Sequence, residues 1–224
     1  MNPAASSAPY ELPLFPLQTV LFPGMPLPLH IFQERYKRLI TDCLRGHRPF
    51  GVVLISSGSE VGGEATPHTV GTSARITGVE RLSAGRFNIE TAGQDRFRIL
   101  ELRHHRRPYL SAIVENYPFT DPNPVASADL ARRLRPWLSR YMTMLAKVTE
   151  TPFDVQRLPR EPLALAYLAA IVLQAPPRTK QALLTLPDTI ELLEEERAVY
   201  RSEIPLLNAI IARVPSDTKL FSDN

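Results

Sequence analysis

A single cysteine, Cys43, stands in 224 residues, so no disulfide can form within the chain, which fits a reducing compartment. The most apolar stretch, Leu163–Leu173, is too short to span a bilayer. No basic segment followed by an apolar one opens the chain, so no secretory signal is expected. These absences point to a cytoplasmic protein with no membrane contact.

Catalytic signatures are missing as well. A phosphate-cradling loop needs glycines followed by Lys and a hydroxyl. The nearest approach, Gly58–Gly63, runs into Glu64, an acid that would repel phosphate. No Gly-x-Ser-x-Gly elbow and no His-Glu-x-x-His helix occurs. Only four of the 26 basic residues are lysines (Lys37, Lys147, Lys180 and Lys219), and none stands in a context that marks a depressed amine beside a serine. The adjacent His104 and His105 would face opposite sides of a strand and cannot easily share a metal. Cys43 lies on the apolar stripe of a predicted helix, where a small buried hydrophobe is expected rather than a nucleophile. We therefore expect no catalytic residue, no metal and no cofactor.

The chain does hold the material of a core. Its apolar fraction of 44% and charged fraction of 22% are those of a globular protein, and the net charge of +3 does not mark a nucleic-acid binder. Two regimes follow one another, with 1–9 and 215–224 read as flexible ends. Over 10–117 short runs of alternating apolar residues are separated by turn signals, including Ser57-Gly58, Ala84-Gly85 and Ala92-Gly93. Such spacing predicts short strands closing into a small β-barrel. One helix interrupts them over Gln33–Leu44, with Tyr36, Leu39, Ile40 and Cys43 on one face and Gly46 placed to end it. Residues 118–127, with Pro118, Pro122 and Pro124, read as a hinge. Over 128–214 the period becomes helical. Pro136 is expected to kink or split the first helix there. The all-round apolar Pro162–Gln174 predicts a buried central helix. Asp188-Thr189-Ile190-Glu191 reads as a capping box. The expected class is α+β, a barrel followed by a helical bundle.

Two segments carry possible recognition chemistry. Leu12–Phe32 sets Pro13, Pro16, Pro23, Pro26 and Pro28 among large apolar residues. Proline cannot complete an interior ladder, so this chain should run extended along an edge or surface, where an extended peptide could be captured. Phe15, Leu21, Phe22, Met25 and Phe32 are the candidate polypeptide contacts, although such side chains more often plug a core. The second segment holds Arg96, Arg98, Arg103, Arg106 and Arg107 beside Tyr109. It could grip nucleic acid through phosphate contacts and base stacking. Alternation splits its charges between two faces, and a solvated strand is the blander reading.

At Leu14-Phe-Pro-Leu17, Phe22-Pro-Gly24 and Leu29-His-Ile-Phe32 with Arg35-Tyr36, the sequence resembles the N-terminal domain family of ATP-dependent Lon proteases. The likeness continues through Phe50–Leu54, Val70-Gly-Thr72, Arg96-Phe-Arg98 and Pro108-Tyr109-Leu110, and into Leu165–Leu168 and Lys180–Leu184. It covers about residues 10–211. The resemblance implies a PUA-like β-barrel followed by an α-helical bundle, and a non-catalytic domain that recognises unfolded or tagged polypeptides, as an adaptor or with an AAA+ protease. RNA binding is the alternative, since PUA-like barrels often bind RNA. The AAA+ and serine-lysine peptidase domains of full Lon proteases lie outside the sequence, so a stand-alone member is expected, with homo-oligomerisation left open. One departure stands out: the family usually has Glu after His-Ile-Phe, where this chain has Gln33.

Overall fold

The computed structural model describes residues 8–58, 66–104, 107–149 and 153–213. The chain divides into two compact units. The first is the chain up to Thr120 together with Gln174–Pro187; the second is Asp121–Leu173 together with the residues from Asp188 onward.

The first unit is a mostly antiparallel sheet of β1 (Tyr10–Leu17), β2 (Pro26–Ile31), β3 (Phe50–Ser57), β4 (Thr66–Pro67), β5 (Val70–Arg81), β6 (Phe87–Arg103) and β7 (Ser111–Asn116). Strand β1 is extended as its prolines demand, but it is neither edge nor surface. Its first half, Tyr10–Pro13, pairs antiparallel with β7, and its second half, Leu14–Leu17, pairs parallel with β3. Leu12 to Pro16 are buried. Changing partner in mid-strand lets each half present one ladder only, which is how Pro13 and Pro16 are tolerated inside a sheet.

The turn expected at Ala92-Gly93 is absent: β6 runs through it as one 17-residue strand. Gly93 is there for another reason. A Cβ at this position would collide with the Phe22 carbonyl oxygen. The two backbones interlock, with Gly24 N–H donating to Gly93 O (2.9 Å) and Gly93 N–H donating to Met25 O (2.9 Å). Between them Phe22-Pro23-Gly24-Met25 forms a turn closed by Met25 N–H to Phe22 O (3.0 Å), with Gly24 at φ +80°. Proline second and a left-handed glycine third is the sequence a type II turn requires.

Helix α1 (Glu34–Gly46) buries the expected stripe, Tyr36, Leu39, Ile40 and Cys43, against Phe15, Phe50, Ile31 and Ile89. Gly46 is its last residue, and the left-handed position is His47, one residue later. Gln33 precedes the helix, and its Oε1 accepts from Arg35 Nε (3.1 Å), a neutral bond where a carboxylate would make an ion pair.

The unexpected member of this unit is α4 (Pro177–Thr185), which lies far along the chain, inside the helical regime. Two side chains hold it to the sheet. Gln181, almost wholly buried, donates from Nε2 to Val70 O of β5 (3.0 Å). Arg96 on β6, only 2% exposed, donates from one terminal nitrogen to Leu184 O (2.6 Å) and Leu186 O (2.8 Å) at the helix's C-terminal end. Its guanidinium lies 3.2 Å from the Phe119 ring centroid and 4.6 Å from that of Tyr117. A cation at the negative end of a helix, over aromatic faces, recovers much of what burial costs it.

In the second unit, α2 (Pro124–Thr149), α3 (Pro162–Val172) and α5 (Thr189–Arg213) pack pairwise. Helix α2 begins at Pro124, inside the segment read as a hinge, because proline at a first helical position loses no hydrogen bond. Asn123 caps it, accepting from Ala126 N–H (3.2 Å). Pro136 does not split it: α2 is continuous over 26 residues. Asp188 Oδ1 accepts from the amides of Ile190 and Glu191 (both 2.9 Å), so the predicted cap of α5 is in place on the Asp side. Tyr200 donates to Ala169 O (2.8 Å) and meets Tyr141 edge-on. Beside this pair Glu196 is fully buried, with neither carboxylate oxygen hydrogen-bonded among the described residues. Burial disfavours its charged form and holds its carboxyl well above the usual range.

Two outcomes follow. Arg96→Lys is expected to lower stability by about 2–4 kcal/mol, because an ammonium on a shorter stem cannot hold both helix carbonyls while stacking flat on Phe119 and Tyr117. Urea unfolding followed by circular dichroism measures it, and unchanged stability would exclude the clamp. Glu196 binds its proton more tightly folded than unfolded. Stability should therefore be fullest below the ordinary carboxylate range and fall as pH rises through the raised folded-state value. Glu196→Gln should flatten that fall and raise stability at neutral pH by about 1–3 kcal/mol. Trp137, half-buried on α2, reports the unfolding.

Candidate functional site

Of the five predicted polypeptide contacts, three are structural. Phe15, Leu21 and Phe22 are 5%, 1% and 0% exposed. Phe15 stacks on Tyr36 at 4.0 Å between centroids, and Leu21 O accepts from the Thr72 hydroxyl (2.6 Å). They have no surface to offer a partner, and they leave the candidate list for that reason. Met25 is half-buried, packed on the α1 core, while Phe32 is 55% exposed.

Phe32 follows directly on β2, which among the described residues pairs with β6 alone. Along β2, Leu27 and Leu29 are half-buried and Ile31 buried, whereas Pro26, Pro28 and His30 are exposed. His30 stacks on Phe32 with centroids 6.0 Å apart. The imidazole is held by Asn88 (2.7 Å), which in turn donates to Glu80 (2.7 Å). An anchored imidazole therefore backs the exposed phenyl ring, in a surface that continues along two prolines.

The backbone of this edge limits what it can bind. Met25 O accepts from Gly93 N–H, so odd-numbered residues of β2 turn their backbone groups toward β6 and even-numbered ones turn outward. Pro26 and Pro28 therefore occupy outward positions and supply no N–H. Three carbonyls but a single donor, that of His30, remain on the free edge. A full ladder with an added strand cannot form there, and the strand-addition capture expected from the sequence is not what this edge offers.

In the arginine segment Arg96 is buried, and Arg98, Arg103 and Arg107 are part-exposed but paired. Arg96 clamps α4. Arg98 stacks on Tyr117 at 3.8 Å and pairs with Glu115 (3.7 Å). Arg103 pairs with Glu101 (2.8 Å), and Arg106 lies outside the described residues. Arg107 lies near Glu11 (3.8 Å) and Asp42 (3.9 Å). Tyr109, 4% exposed, donates to Asp42 (2.9 Å), and burial followed by that bond pushes its phenol upward. Among the described residues of the segment, neither a stacking platform nor a row of free cations is presented. Asp42, the acid that neutralises this corner, was not singled out in the sequence; its place next to Cys43 on α1 gives no hint of a partner so distant in the chain.

Cys43 is buried, and burial pushes its thiol up to about 11, the opposite of an activated nucleophile. Lys180 on α4 differs from the sequence expectation, since burial holds its ammonium below the ordinary range. Among the described residues no group of three or more His, Cys, Asp or Glu is placed to hold a metal ion. No helix of the described residues is long and apolar enough to cross a membrane.

Comparison with known proteins agrees with this architecture. Residues 11–197 match the family described as the ATP-dependent protease La (LON) substrate-binding domain. The chain is 29% identical over 203 residues to Lon protease 2 of Myxococcus xanthus, covering 86% of this chain and 24% of that protein. It is 30% identical over 205 residues to the Lon protease of Anaeromyxobacter dehalogenans, covering 89% and 23%. The chain thus spans about a quarter of the length of these relatives, and the part matched is the substrate-binding domain, not the peptidase. Among solved structures, a Lon N-terminal domain protein from Xanthomonas campestris superposes with a TM-score of 0.60 at 25% identity, covering 84% of this chain and 98% of that one. The N-terminal domain of the Mycobacterium avium complex Lon protease gives 0.67 at 18% identity, covering 86% and 98%. An α+β chain whose match runs through both regimes of its sequence belongs to the Lon substrate-binding domain family.

Proposed function

We propose that this chain binds unfolded or tagged polypeptide without chemistry of its own, in the cytoplasm, as an adaptor or substrate-recognition module for an ATP-dependent protease. The observation that carries the reading is the exposed Phe32 in a domain of this family, set beside the outward prolines of β2. Large apolar side chains held open to solvent next to a rigid backbone are the usual mark of a partner surface. Phe32 is the anchor; Met25, half-buried at the other end of β2, is a second and separate contact. Contact would be made by side chains, with the outward carbonyls of Pro26 and Pro28 accepting single hydrogen bonds from the bound chain.

The finer architecture proposed is a PUA-like barrel with a helical bundle after it. Pairing of β1 with both β7 and β3 supports closure, since the path β1–β7–β6–β5–β3 then returns to its start. The pairwise packing of α2, α3 and α5 supports the bundle.

Fluorescence anisotropy of a labelled, permanently unfolded polypeptide tests the function at low and high salt. Binding should change little with salt, and Phe32→Ala should weaken it about tenfold while leaving the unfolding curve unchanged. Phe15→Ala should instead destabilise the first unit by about 3–5 kcal/mol. Full-strength binding by the Phe32 variant would remove this surface from consideration. Binding of structured RNA that falls steeply with salt, with no polypeptide binding, would replace the reading altogether.

A further inference from the structure

The first unit contains a cavity of about 550 Å³ that no part of the reading above uses. One wall is a stripe of α4, Arg178, Gln181, Ala182 and Thr185, residues three and four apart and therefore on one helix face. Ser56 at the end of β3, His68 just after β4 and Leu186-Pro187 complete the lining. The volume is in the range of ordinary small-ligand sites.

Its chemistry is one-sided. Arg178 makes no ion pair, and no carboxylate lines the cavity, among the described residues. Gln181, 4% exposed, is rigidly held: its Nε2 donates to Val70 O (3.0 Å) and Thr185 Oγ1 (3.3 Å). Its Oε1 is itself buried and has no partner among the described residues, so Gln181 shapes the wall rather than meeting a ligand. Ala182, Leu186 and Pro187 supply the apolar part of the lining. A phosphate would call for several convergent N–H donors. A carboxylate needs only one fork, and here the fork adjoins apolar surface.

We propose that this cavity binds a carboxylate carried on an apolar body, the acid group against Arg178 and His68 and the body over Ala182, Leu186 and Pro187. Two sources share that chemistry: a free branched or aromatic carboxylic acid, and the α-carboxylate of a polypeptide ending in an apolar residue. The site is separate from Phe32, so each can fail alone.

Calorimetric titration of the full chain distinguishes the sources. The probes are 4-methylvalerate, a five-residue peptide ending in Leu with a free carboxylate, and the same peptide amidated at its C-terminus. Binding of the acid or of the free-carboxylate peptide is expected. Arg178→Gln should weaken it about tenfold or more, and Ala182→Phe should abolish it by filling the cavity. Both substitutions lie at exposed helix positions and should leave thermal unfolding unchanged. Binding of the acid alone identifies a small-molecule site, and binding of the free-carboxylate peptide but not its amide identifies a chain-terminus site. Equal binding of peptide and amide, no binding of either carboxylate, or wild-type affinity in both variants would overturn the proposal. The Phe32→Ala chain should retain the site in full.

Discussion

The first unit depends on where one guanidinium goes. Arg96 is among the largest fully buried side chains, and a charge taken out of water without compensation would cost far more than a domain's whole stability. It is compensated by the carbonyl end of α4 and by the faces of Phe119 and Tyr117, so the sheet and this late helix are not independent. Gln181 adds a second tie, from the helix to Val70. Removing either side of this arrangement leaves unpaired polar groups on the other.

The second unit resolves a similar problem in the opposite manner. Glu196 is buried with no hydrogen-bond partner among the described residues, so burial favours its protonated form where Arg96 acquires partners. Arg96 cannot take that route, since a guanidinium does not give up its proton in a protein. The contrast explains why one buried polar group is surrounded by acceptors and rings while the other sits among tyrosines and apolar side chains.

Much of the fold was legible in the residues. The α1 stripe, the Asp188 cap and the apolar α3 are local patterns, and they appear where the spacing puts them. What was not legible depended on tertiary partners. Ala92-Gly93 looks like a turn because glycine usually serves one, yet here it makes room for the Phe22 backbone. Pro136 marks a break by its own chemistry, yet α2 carries it through. The candidate contacts failed for a related reason: Phe15, Phe22 and Phe32 are chemically alike, and only the three-dimensional register decides that two fill the core and one meets solvent. Likewise Arg96 and Arg98 are two residues apart, and the first is spent on α4 while the second stays at the surface.

Because α4 is contributed by residues that come after most of the second unit in the chain, the first unit is discontinuous in sequence. A ribosome delivers residues in order, so the sheet strands are all made long before Leu184 and Leu186 exist. During that interval Arg96 has no helix end to receive it, and the nascent sheet must wait with a cation where its core will close. Completion of the earlier half is thereby tied to synthesis of the later one, and a fragment ending near Thr120 would lack a structural part of its own domain.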